Sequence, residues 1–314
     1  MNKIVELLGI QYPIFQGAMA QISRHELVSA VSNAGGLGIL ASGGMTREEL
    51  RYEIRECKKL TDKPFAVNLM LMMPNIDQKI DVLIEEDVRI ITTGAGTPKP
   101  YMEKLKSEDF IVMPVIPSVS VAQKMEALGV DAVIVEGTEA GGHIGESTTM
   151  SLLPQVVDAV SIPVIAAGGI ADSRGILASL ALGACGVQIG TLFLTAEECP
   201  ISEEYKNAVL AAKDNTTVVT GRTNRAPVRC LRNEMTDHFL QMEFEQVDRE
   251  ELEKLTIGSL AKAVYEGDIV EGTMMAGQVA GMIQEIKPVH QIMEELMTGI
   301  RPKLNALSEA VESL

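Results

Sequence analysis

A chain of 314 residues with 46% hydrophobic and 22% charged residues has the balance of a folded globular protein, which excludes a disordered or fibrous one. Its 43 acidic against 27 basic residues leave a formal charge of −16, the wrong sign for gripping a phosphate backbone, so nucleic acid is excluded as a general partner. Four cysteines (Cys57, Cys185, Cys199, Cys230) without a C-x-x-C pair are too sparse for a disulfide scaffold and suggest no metal cluster, so reduced thiols and a cytoplasmic protein are expected.

The opening MNKIVELLGIQYP carries Glu6 early and lacks the apolar stretch of a secretory signal. Eight short apolar runs then read as strands: Pro13–Gln16, Leu37–Leu40, Phe65–Leu69, Arg89–Thr93, Ile111–Ile116, Ala132–Glu136, Pro163–Ala167 and Gly186–Gly190. Amphipathic stretches separate them. In SNAGGLGIL, EALGVDAVIV and LALGACGVQI a helical run stops on small residues and glycine before a β-branched strand. Ser23 with Glu26 and Thr46 with Glu49 fit the capping box, and Thr97 before Pro98 fits a cap with proline at the first helical position. The uncharged span Ile176–Ala196 is long enough for a bilayer, but its glycines and polar residues break it into a buried helix and a buried strand, so no membrane segment is expected.

Near-continuous apolar strands alternating with helices predict a parallel sheet covered on both faces, and eight such units close into a (β/α)8 TIM barrel. An open doubly wound sheet is less suited, because QGAMAQ after the first strand lacks the glycine pattern of a dinucleotide turn. The pattern predicts a barrel over 1–198, a smaller, mainly helical cap inserted over 199–276, and C-terminal helices over 277–314. Within the cap, Arg222, Arg225, Arg229 and Arg232 form a basic cluster that either pairs with local carboxylates or docks a phosphate or an acidic partner.

In a barrel the working groups lie on the loops after the strands. Those loops hold Gly17, Ala18 and Met19 after the first strand, Gly94–Gly96 after the fourth, and Gly137–Gly145 after the sixth. Gly168 with Gly169 and Gly190 with Thr191 follow the seventh and eighth, the usual phosphate corner, although such glycines also serve as plain turn punctuation. His143 stands among glycines, which suits an acid or hydrogen-bond donor titrating near neutrality as well as it suits a histidine satisfying a buried carbonyl. Asn68 brings one amide to the end of an apolar strand, where it meets a heterocycle edge or anchors a loop.

The motifs YPIFQGAMA, SNAGGLGIL, KPFAVNLM, TTGAG, EGTEAGGHIG with STTM, IPVIAAGGIAD, VQIGT and MMAGQVAG, in this order, resemble the flavin-dependent enoyl-acyl carrier protein reductase II family, within the nitronate monooxygenase group of FMN barrels. The resemblance implies FMN as cofactor, held by Gly17, Ala18, Met19, Asn68, Glu136, Gly141, Gly142, Ala167, Gly168, Gly169, Gln188, Gly190, Thr191, Met275 and Gln278, with His143 catalytic and no metal. It implies NADH or NADPH as co-substrate and an enoyl-acyl carrier protein as partner, in the last step of fatty-acid elongation. A homodimer and a monovalent cation requirement are further expectations of the family. A nitronate monooxygenase using oxygen on the same FMN frame is the alternative, and a barrel that only binds a phosphorylated ligand is a second. Acyl carrier proteins are acidic, so docking on a chain of this charge requires a local positive face, for which the arginine cluster is the candidate.

Overall fold

The computed structural model describes residues 2–313. The barrel strands are β1 (Ile14–Gln16), β2 (Gly38–Ala41), β3 (Phe65–Met70), β4 (Ile90–Gly94), β5 (Ile111–Ile116) and β6 (Val133–Glu136). After a two-residue strand outside the barrel, β7 (Gly142–His143), come β8 (Val164–Ala167) and β9 (Gly186–Ile189). All eight barrel strands are parallel, in the order β1-β9-β8-β6-β5-β4-β3-β2, and a bridge between Phe15 and Leu37 brings β1 against β2. The expected TIM barrel is therefore present, with strand ends within two residues of those read from the sequence.

Alternation along each strand sorts the core. Phe15, Leu37, Ile39, Ala66, Met113, Ile134 and Ile165 fill the barrel interior, while Val133, Val135, Val67 and Leu69 pack outward under the helices. A short helix that the apolar runs did not announce, Lys3–Leu8, sends Ile4 and Leu8 into the interior cluster and plugs the end where the strands begin. The same alternation leaves Asn68, Glu136 and Gln188 on the inward side at the opposite end.

Thr46 forms the expected capping box with Glu49; Thr97 Oγ1 accepts from Lys99 N, but the short 3-10 turn Lys99–Tyr101 begins one residue later than expected, with Pro98 rather than Thr97 at its cap. Ser23 does not cap a helix. The helix His25–Asn33 starts two residues later with Arg24 at its cap, because Ser23 Oγ is already engaged inside the loop by Met19 N and Gln16 Nε2, each at 2.8 Å. The uncharged span folds as the end of helix Ser173–Ala181 and as β9. The strand is buried as expected, but the helix buries Ile176 and Ser179 and exposes Ala178, Leu180 and Ala181, so it is a surface helix. Among the described residues no helix is long and apolar enough to cross a membrane.

Beyond the barrel a helix (Glu203–Leu210) leads to a hairpin, β10 (Thr217–Thr220) and β11 (Val228–Leu231), followed by helices Glu234–Phe244 and Arg249–Thr256 and a π turn at Lys262–Glu266. The charged composition of this segment had suggested helices; the hairpin appears because β11 finds a second partner in β7, so three strands join segments distant in sequence. Helices Val289–Thr298 and Ile300–Glu312 end the chain, the last with no buried residue.

Candidate active site

At the C-terminal ends of the strands lies a cavity of about 450 Å³. Fifteen of the sixteen site residues read from the sequence line it: Gly17, Ala18, Met19, Asn68, Glu136, Gly141, Gly142, His143, Ala167, Gly168, Gly169, Gln188, Gly190, Thr191 and Met275. Gln278 does not. Its side chain is exposed and only its backbone N–H is engaged, donating to Glu139 O at 2.9 Å, so Gly277 and Val279 line the wall in its place.

Three polar side chains form the cavity floor, placed there by strand alternation. Asn68 Nδ2 donates to Thr92 Oγ1 at 2.9 Å, and its amide oxygen accepts from no donor among the described residues. The Gln188 side chain lies against Gly17, where a Cβ would stand 3.2 Å from Gln188 Cγ, so a larger residue there would push the Gln188 side chain aside. Glu136 is half-buried and opens only onto the cavity; no donor among the described residues reaches its carboxyl, and loss of water pushes its pKa up to about 8. At neutral pH this carboxyl is mostly protonated and can donate a hydrogen bond.

The corner after β8 and β9 is built of backbone. The N–H groups of Gly168, Gly169, Gly190 and Thr191 donate to no protein group among the described residues. Gly168 is left-handed at φ 89°, and a Cβ on it would lie 2.9 Å from the Gly137 carbonyl, so the loops after β6 and β8 touch backbone to backbone. Thr191 Oγ1 accepts from Gly277 N at 2.9 Å and ties the late segment to the same corner. The Glu139 carboxylate accepts from Thr149 N at 2.9 Å and from Thr149 Oγ1 at 3.1 Å, which fixes the glycine loop to the start of helix Thr149–Ala159.

His143 stands at the cavity mouth on β7. The loop around it withdraws enough water to lower its pKa from 6.5, so the ring is neutral at pH 7 although it is exposed toward the mouth. Neither ring nitrogen has a hydrogen-bond partner among the described residues. Of the arginine cluster, Arg222 pairs with Glu146 at 3.1 Å and Arg232 with Asp237 at 2.7 Å. Arg229 is buried and donates to Thr138 O at 3.0 Å and to Thr217 Oγ1 at 3.1 Å, holding the histidine loop to the hairpin. The four therefore do not form one docking face.

Sequence reasoning missed the apolar wall of Ala41, Met70, Val115, Ile144 and Val279. Met70 follows Asn68 by the two-residue strand period, a signal that was present; Val279 is brought in by the chain's return from the cap and has no local one. It also missed Tyr265, whose hydroxyl donates to Gln21 O at 2.9 Å and accepts from Arg24 at 3.1 Å, bracing the Met19 loop from outside.

The family described as nitronate monooxygenase matches residues 2–77 and 70–299. A 5-hydroxy-7a-methyl-1-oxo-octahydro-1H-indene-4-carboxyl-CoA dehydrogenase of Mycobacterium tuberculosis is 34% identical, over 98% of this chain and 98% of its own length. A probable nitronate monooxygenase of Staphylococcus saprophyticus is 35% identical, over 91% of this chain and 94% of its own. Among solved structures, FabK from Thermotoga maritima superposes with a TM-score of 0.96 at 45% identity, covering 99% of each chain.

Proposed function

The chain belongs to the nitronate monooxygenase family and is an oxidoreductase of that family, and we propose that it reduces trans-2-enoyl thioesters of acyl carrier protein with a reduced nicotinamide over FMN. The observation that carries this reading is His143: a neutral imidazole, without a hydrogen-bond partner among the described residues, that lines the same cavity as a corner of four unused backbone N–H groups. The 45% identity with FabK supports a thioester over a nitronate.

The chain's own groups fit the cofactor. Unused amides at Gly168, Gly169, Gly190 and Thr191 would take the phosphate, since oriented N–H groups are an anion site. The free oxygen of Asn68, the Gln188 amide and the protonated Glu136 carboxyl supply acceptor and donor for the ring edge and its polyol. When bound, FMN supplies the hydride relay from reduced nicotinamide to the enoyl β-carbon. His143 then donates its ring N–H to the thioester carbonyl and stabilises the enolate charge that develops on it; delivery of the α-carbon proton needs the imidazolium form, which takes up its proton from solvent at the exposed mouth. The Ile144 and Val279 wall excludes water from the acyl chain.

The deciding experiment compares two reactions of the purified protein. A yellow protein whose NADH or NADPH oxidation depends on a crotonyl thioester supports the reading; oxygen uptake that depends on an alkyl nitronate, with no thioester turnover, replaces it by the monooxygenase reaction.

A further inference from the structure

With Arg229 buried and Arg232 paired, Arg222 and Arg225 are left on the turn that joins β10 to β11. This turn borders the cavity. Pro227 O accepts from Ile144 N at 3.1 Å and Val228 stands opposite His143, and both Ile144 and His143 line the cavity.

The turn is held independently of its arginines. The buried Glu243 carboxylate, on helix Glu234–Phe244, accepts from Gly221 N at 3.1 Å, Thr223 N at 3.0 Å and Thr223 Oγ1 at 2.7 Å. Inside the turn, Arg225 N donates to Arg222 O at 3.1 Å and Ala226 N to Gly221 O at 3.0 Å. Arg222 spends its charge on Glu146. Arg225 is exposed, its backbone is left-handed at φ 57°, and its guanidinium has no ion pair or hydrogen bond among the described residues. On a clamped turn beside the cavity, a guanidinium with no ion pair among the described residues is available to an external anion.

We propose that Arg225 binds the phosphoryl group of the 4′-phosphopantetheine arm of the thioester substrate and so sets the preference for carrier-bound over simple thioesters. The inference rests on the thioester reading above. A guanidinium presents paired donors that match two phosphate oxygens. Arg225 lies three residues before Val228, at most about 11 Å of extended chain from the position opposite His143. The charge is thus set back from the reacting end, as the phosphoryl is set back from the thioester by its arm. The two carboxylates bonded to this turn, Glu146 and Glu243, are already engaged, Glu146 by Arg222 and Glu243 by Gly221 and Thr223.

The test uses crotonyl-4′-phosphopantetheine and crotonyl-pantetheine, which differ by the phosphoryl alone, on the flavin-loaded wild type and on Arg225→Gln, which removes the charge and keeps a polar side chain. The wild type should show a KM about tenfold lower for the phosphorylated substrate, the size of one charge-assisted contact. Arg225→Gln should remove that difference without changing kcat or the KM for crotonyl-pantetheine, and Arg225→Lys should restore part of it. Calorimetric titration with 4′-phosphopantetheine and pantetheine themselves gives the same comparison without turnover. A wild type that turns over neither thioester but binds the phosphorylated arm preferentially, through Arg225, sinks the reductase reading and leaves the subsite standing. Equal changes on both substrates, no change on either, or a change confined to the KM of NADPH relative to NADH overturns the subsite.

Discussion

His143 stands directly opposite Val228 in the antiparallel bridge between β7 and β11, so the backbone that carries the ring at the cavity mouth is paired with a strand of the segment that follows the barrel. Its side chain bonds to nothing else among the described residues, so its removal leaves the fold's hydrogen bonds intact. His143→Ala is expected to lower kcat for a crotonyl thioester by at least about 100-fold, the usual weight of a positioned acid or donor. Flavin content and Tm should stay at wild-type values. Thioester turnover within a factor of two of wild type would remove His143 from the chemistry.

Gly168 and Gly169 separate backbone strain from steric exclusion. Both are left-handed, at φ 89° and 78°, but a Cβ on Gly169 first meets the Glu139 side chain at 3.6 Å, whereas on Gly168 it meets the Gly137 carbonyl at 2.9 Å. Gly169→Ala should cost about 1–2 kcal/mol, the strain of a left-handed alanine, and keep its flavin. Gly168→Ala forces two loops apart and should lose more stability, together with bound FMN. Denaturant midpoints and the flavin-to-protein ratio check the ranking, and equal losses in the two variants would show that the contact with Gly137 is unimportant.

Glu136 gives the apoprotein a pH dependence of definite sign. Its pKa is about 8 in the folded chain against 4.5 ordinarily, so between these values the folded state holds a proton that the unfolded state releases. Stability therefore falls as pH rises from about 4.5 to 8, and the full cost of the bare carboxylate is present above that. Glu136→Gln, which is neutral throughout, should raise the Tm of the flavin-free protein more at pH 8.5 than at pH 5. A Tm difference that is the same at both pH values would show that the carboxyl is ionised throughout.

The barrel was legible in the sequence because every strand carries its own signal, a short apolar run, preceded in three cases by a glycine stop, and no strand needs a distant partner to be recognised. His143, Asn68 and the Gly168 and Gly190 turns were legible for the same reason, since barrel closure alone puts the ends of the strands around one cavity. The hairpin partner of His143 was not. Val228 lies 85 residues further on, and its pairing is accompanied by the bond from Arg229 to the Thr138 carbonyl, a contact with no local pattern. Gln278 failed by register: the backbone at Gly277 is tied to Thr191 Oγ1, which turns the next side chain outward. Arg229 looked like a surface charge because composition cannot distinguish an arginine that binds a loop carbonyl from one that faces water.

Tyr205 supplies the counterpart to His143. It is fully buried, and its hydroxyl donates to the Met275 carbonyl at 2.7 Å, holding the segment whose side chain lines the cavity beside Gly142. Tyr205→Phe keeps the ring and removes only the donor, so the carbonyl loses its partner at a cost of about 1–3 kcal/mol. Because Tyr205 itself does not line the cavity, the loss should appear as a lower Tm and denaturant midpoint, with a modest rise in the thioester KM and kcat within about threefold of wild type. His143→Ala should show the reverse pattern, and the pair separates a group that acts on substrate from one that only holds the wall. If Tyr205→Phe lost kcat as steeply as His143→Ala while remaining folded, the Met275 segment would have to take part in the reaction itself.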